Sequence, residues 1–115
     1  MTIHIYHNPR CSKSRQTLEL LQHNNIAPEI ILYLENHPTK DDLKAIMQKL
    51  GVSSPLAFMR QKEEAFKAQK LSEKNSVDEL LEAIVNTPKL LERPIVINGN
   101  KAAIGRPPEN VLAII

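Results

Sequence analysis

The first third of the chain carries a pattern that few folds can accommodate. Residues 2 to 6, TIHIY, alternate β-branched or aromatic residues with polar ones and predict a short strand. SKSRQTLELLQHNN comes next, with Leu18, Leu20 and Leu21 at helical spacing, turned inward. EIILYL (29–34), after Pro28, is a near-continuous apolar run, the pattern of a strand buried on both faces. Strand, helix and strand within about 34 residues read as a right-handed βαβ unit with parallel strands.

The middle of the chain reads as helical. HPTKDDLKAIMQKLG places Thr39 as N-cap with Asp42 three residues on, an apolar stripe of Leu43, Ile46, Met47 and Leu50, and Gly51 as a left-handed cap. SSPLAFMRQKEEAFKAQ predicts a helix with Pro55 in its first position, and SVDELLEAIVN opens on a capping box, Ser76 with Glu79. RPIVINGNKAAIG then reads as two strands joined by a turn at Asn98–Gly99, and RPPENVLAII as a closing helix with prolines at its start. The order βαβ, helices, ββα is that of a thioredoxin-like α/β fold with a small mixed four-stranded sheet. The expectation is a single domain over residues 1–115, with a helical insertion at about 39–91.

A length of 115 residues suits one hydrophobic core. With only two Tyr, two Phe and no Trp, that core rests on Ile, Leu, Val and Ala. The net charge of +2 is too balanced for nucleic-acid binding, which needs a dense basic face. The basic bias is local: no Asp or Glu precedes Glu19, which suits a small anion as partner. One cysteine cannot form an internal disulfide. No stretch has the apolar length of a signal peptide or membrane span, so a cytoplasmic location without membrane association is expected.

That cysteine, Cys11, sits in HNPRCSKSRQT among turn-forming, capping and charged residues, where a core position would be apolar. Ser12 and Ser14 are both capable N-caps, which places Cys11 at or just before the helix start. A thiolate there is favoured by free backbone N–H groups and the helix dipole. Arg10, Lys13, Arg15 or a protonated His7 add positive charge. Such surroundings lower a cysteine pKa from about 8.5 into the range of roughly 3.5 to 7.5 seen in reactive thiols. Several chemistries are excluded. A phosphatase loop needs an arginine at position 17, which is Thr, and no Gly-rich phosphate cradle exists. Cys11 and Ser14 form C-x-x-S, so disulfide exchange within the loop is ruled out. His4, His23 and His37 lack metal-ligand spacing and are expected at the surface, so no metal is expected.

HNPRCSKSRQTLELL resembles the signature of the glutaredoxin-coupled arsenate reductase family: a strand, His-Asn-Pro-x-Cys, then x-x-Ser-Arg opening a helix. YLENHPTKDDL, LAFMRQKE, LLERPIVING and IGRPPENVL resemble further segments of that family in the same order, so the likeness spans essentially the whole chain. The resemblance implies that Cys11 is the nucleophile, tuned by His7, that Arg60, Arg93 and Arg106 bind the oxyanion, and that Ser14 and Arg15 support it. A trio of guanidinium forks suits a tetrahedral oxyanion. It also implies a cis peptide bond between Arg93 and Pro94. The chain ends at Ile115, as in a short subgroup of the family.

The implied activity is reduction of arsenate, or a similar oxyanion, to arsenite. Two electrons are required and the chain has one thiol, so glutathione is the expected co-substrate, with glutaredoxin as the resolving partner and no bound cofactor. Two alternatives come from other classes. One is a monothiol glutaredoxin-like thiol transferase, which would not need three arginines at the sulfur. The other is an Spx-type RNA polymerase-binding regulator, against which Ser14, Arg106 and the early stop argue.

Overall fold

The computed structural model describes residues 2–115. β1 (Ile3–Tyr6) pairs on one side in parallel with β2 (Glu29–Ile31) and on the other antiparallel with β3 (Ile95–Asn98). β3 pairs antiparallel with β4 (Lys101–Ile104), giving a mixed four-stranded sheet in the order β2-β1-β3-β4. Register sets Ile5 opposite Val96, both fully buried. With Leu21 and Val111 they form the centre of a core to which Leu18, Leu20, Ile3, Ile26 and Ala103 add partly buried surface. Each fully buried side chain of this kind contributes about 1.5–3 kcal/mol relative to exposure.

α1 (Ser12–His23) brings Leu21 to that core. It ends in a Schellman motif, with the Ile26 N–H on the Leu21 carbonyl and the Asn25 N–H on the Gln22 carbonyl. Asn25 takes the left-handed conformation at φ 62°, a position where Asn substitutes for glycine. The reversal turns the chain directly into β2.

The chain forms two compact units: one from residues up to Asn36 together with Arg93–Ile115, the other from His37–Glu92. The second is helical. α2 (Lys40–Leu50) and α4 (Val77–Asn86) start on the expected capping boxes, Thr39 with Asp42 and Ser76 with Glu79. Gly51 closes α2 at φ 72°. Leu43, Ile46, Leu80, Leu81 and Ile84 are almost entirely buried, and Lys40 bridges Asp78 and Glu82 at 2.9 and 2.8 Å. Between the two helices lie a 3-10 turn at Pro55–Phe58, capped by the Ser54 hydroxyl, and the short α3 (Glu64–Ala68).

Four local expectations need correction. The run 29–34 is not a doubly buried strand: β2 has three residues and lies at the sheet edge, with Ile30 46% exposed. Beyond Ile31 the chain leaves the ladder and turns, as the Glu35 and Asn36 N–H groups both bond the Leu32 carbonyl. The segment from Pro55 is two short helical pieces, not one helix. The hairpin pairs Asn98 with Lys101, so its two-residue loop is Gly99–Asn100. Gly99 there has φ 61°. The closing helix is 3-10, Pro108–Ala113, with the Asn110 side chain donating to the Ile104 and Arg106 carbonyls. None of the helices among the described residues is long and apolar enough to cross a membrane.

Candidate active site

Cys11 is the N-cap residue of α1, extended at φ −96° and ψ 123° and only 8% exposed. The Cys11 carbonyl accepts the first helical bond, from Arg15 N–H at 3.0 Å, while its own N–H donates to the Asn8 carbonyl at 3.0 Å. No side-chain capping bond of ordinary geometry closes this helix start, and its first turn holds no acidic residue. Free N–H groups therefore meet the sulfur in place of a capping oxygen.

Burial pushes the Cys11 thiol up. The Ser14 backbone N–H, the Arg93 guanidinium through its charge and a side-chain hydrogen bond, and the Lys13 N–H outweigh it, leaving the thiol below its ordinary range. Arg106 adds a bond from a guanidinium N–H to Cys11 Sγ at 3.4 Å, and its Nε–H donates to the Arg93 carbonyl at 2.8 Å. Two arginines separated by the β3–β4 hairpin thus meet at one sulfur. Each precedes a proline, and both bonds, Arg93–Pro94 and Arg106–Pro107, are cis. The first was implied by the family resemblance; the second was not foreseen.

The loop that presents the cysteine is held from behind. Ser14 is fully buried; its hydroxyl accepts from the Asn8 N–H at 3.0 Å and lies 2.6 Å from His7 Nδ1. His7 is itself buried at 6% exposure. Desolvation, and then the charge of Arg15, lower its pKa, so the ring is neutral at pH 7. The protonated ring considered from the sequence is thus disfavoured, and the ring lies against the Ser14 hydroxyl. Arg15 donates to the Pro9 carbonyl at 2.9 Å, and Asn8 Oδ1 accepts the Arg10 N–H at 3.0 Å. The Ser14 hydroxyl and the Arg15 guanidinium thus brace the loop itself. Residues 7–10 also line a half-open cleft of about 290 Å³ with Leu32, Leu34 and Glu35. Neither Cys11 nor its two arginines line it.

Arg60 belongs to the other unit. Its N–H bonds the Leu90 carbonyl at 2.7 Å beside a bridge between Met59 and Leu91, and its guanidinium donates to the Glu63 carboxylate at 2.8 Å. Of the remaining histidines, His4 is half-buried and pairs with Glu29 across β1 and β2 at 3.0 Å. Two residues escaped the reading of the sequence: Thr17, noted only because it breaks a phosphatase pattern, and Gly105. Thr17 is fully buried, with its hydroxyl on the Lys13 carbonyl at 2.8 Å. A threonine on the buried face of α1, one helical turn from Ser14 and from Leu21, was the available signal.

The ArsC family model matches residues 6–114. The chain belongs to the ArsC family. It is 49% identical to an arsenate reductase from Haemophilus influenzae, over the full length of both chains. It is equally identical, at 49%, to the Escherichia coli protein YfgD, over 98% of this chain and 96% of that one. Among solved structures it is similar to an arsenate reductase from Vibrio cholerae, with a TM-score of 0.97, 49% identity, and coverage of 100% of this chain and 98% of that one. The thioredoxin-like α/β fold expected of the sequence is thus the fold of this ArsC chain, and Cys11 stands inside the matched region.

Proposed function

We propose that this ArsC-family chain reduces arsenate to arsenite through Cys11, with glutathione and glutaredoxin as electron donors. The observation that carries the reading is the convergence of the α1 N-terminus, Arg93 and Arg106 on one sulfur. That arrangement favours a thiolate and presents donors to an oxyanion beside it. The Cys11 thiolate attacks arsenic, forming an S–As(V) bond, and one arsenate oxygen leaves as water after protonation. A glutathione thiolate then attacks Cys11 Sγ. The S–As pair of electrons stays with arsenic, which departs as arsenite, and Cys11 is left in a mixed disulfide. Two thiols have supplied two electrons. Glutaredoxin takes the glutathione by thiol–disulfide exchange and returns Cys11 to the thiolate.

Arg93 and Arg106 orient the oxyanion and stabilise charge on it. Ser14 and the neutral His7 hold the loop, and Arg15 ties it to Pro9. Arg60 is assigned as the third oxyanion arginine on the family pattern. The relatives named arsenate reductase support the substrate, and the single cysteine supports an external second thiol. The test is arsenate-dependent NADPH consumption coupled through glutathione and glutaredoxin. Turnover with all components, a single glutathione adduct on Cys11 by mass spectrometry, and no turnover without glutathione are expected. Full activity sustained by thioredoxin alone would contradict the mechanism.

A further inference from the structure

We infer that Gly105 is a positioning residue: its missing side chain lets the segment after β4 close on α1 and Pro94, and this sets the Arg106 guanidinium against Cys11. Gly51 and Gly99 stand at turns with positive φ, whereas Gly105 is not in that conformation. The reason for a glycine here is space. A Cβ at position 105 would lie 2.5 Å from Thr17 Oγ1, 2.8 Å from Pro94 Cγ and 3.1 Å from Thr17 Cγ2. All three neighbours belong to fully or nearly buried residues, in an interior that gives little.

The glycine is pinned from two sides. Its N–H donates to the Pro94 carbonyl at 2.9 Å, and the Gly105 carbonyl accepts from the Thr17 hydroxyl at 3.5 Å. The next residue is Arg106, bonded at 2.8 Å to the Arg93 carbonyl and at 3.4 Å to Cys11 Sγ. Thr17 is carried by α1, the helix that begins at Cys11, so sulfur and guanidinium are set from the same rigid element. A methyl group at position 105 would push the 105–106 segment off Thr17 and Pro94. Displacement of a few tenths of an ångström lengthens both Arg106 bonds together.

The inference rests on the reading of Cys11 and Arg106 as partners, but its test needs no arsenate. Because Cys11 is the chain's one thiol, thiolate absorbance and the pH profile of iodoacetamide alkylation report it alone. In Gly105→Ala the Cys11 pKa is expected to move toward the free-thiol value of about 8.5. Adding Arg106→Ala to that variant should move it by less than the two single shifts together. Adding Thr17→Ala removes two of the three close contacts and should give a pKa between those of wild type and Gly105→Ala. Where Gly105→Ala fails to fold by circular dichroism, the Gly105→Ala/Thr17→Ala protein carries the measurement, since the Pro94 contact remains. A separate arm measures kcat/KM for arsenate, expected to fall roughly tenfold on weakening one charge-assisted bond. Wild-type thiol titration in the folded variant, or full additivity with Arg106→Ala, would overturn the inference. A shifted thiol without arsenate turnover in wild type would leave it standing and remove the proposed substrate.

Discussion

Three helices of this chain begin in two contrasting ways. α2 and α4 start on complete capping boxes, with Asp41 and Asp42, or Asp78 and Glu79, in their first turns. α1 starts on a cysteine, whose sulfur stands in place of a capping oxygen, and has no acid in the first turn. The first two helices have used their N-terminal donors and dipole on their own side chains, which stabilises the fold. α1 has kept its donors for the sulfur. Around it the fixed positive charge comes from Arg93 and Arg106, which arrive from a distant part of the chain. The contrast separates a helix start that serves stability from one that, under the proposed function, serves chemistry.

The contrast is most sharply tested by Cys11→Ser. Serine is a good N-cap but a far poorer nucleophile at neutral pH than a thiolate. Arsenate turnover should drop to background while denaturant unfolding, at a pH below the folded Cys11 pKa, shows stability held or raised by up to about 1 kcal/mol. Retained turnover would break the chemical half of the comparison; a clear loss of stability would break the other half. Next in size is Arg106→Ala or Arg93→Ala, each removing a charge-assisted contact worth about 1.5–3 kcal/mol, or ten- to a hundredfold in kcat/KM. Lys13→Ala should change kcat/KM far less, because an exposed ammonium fixes no geometry. Comparable losses at all three positions would point to a diffuse basic field.

Ser76→Ala removes one half of a capping box and should cost about 1 kcal/mol in unfolding free energy. Its arsenate kcat/KM should match wild type, and a parallel loss of activity would show that the two kinds of helix start are not independent. The smallest effect is the pH dependence of stability. The folded Cys11 pKa lies below the unfolded one, so between the two the unfolded chain binds more protons and stability rises with pH. Wild type should therefore gain on Cys11→Ser as pH climbs from the folded pKa to about 8.5, and then level off. His7 has the same sign: its lowered pKa gives a contribution present above about 6.5 and lost as pH falls through the folded value. A stability difference that fell with rising pH would show that burial, not the donors, governs the sulfur.

Local rules made much of this legible in the sequence. Thr39 with Asp42, Ser76 with Glu79, and Gly51 act within a few residues of themselves and end up where their chemistry places them. The Cys11 loop was readable for the same reason. EIILYL misled because apolar content reports burial only through the neighbours a strand acquires, and β2 acquires just one. The state of His7 depended on how deeply the loop buries it, which no spacing encodes. Gly105 was invisible because its partners, Thr17 and Pro94, come from other elements.

The buried Ser14 has a consequence for how this loop can change over evolutionary time. It occupies the place where a second cysteine would make C-x-x-C, the pattern of a loop that closes its own disulfide. Yet its oxygen is already shared between the Asn8 N–H and His7, with no surface left to solvent. Sulfur is larger and a weak acceptor, so the exchange would add a thiol and dismantle the bracket that presents the first one. Under the proposed function the second electron donor is then an external thiol, and the activity would follow the thiol supply of its surroundings.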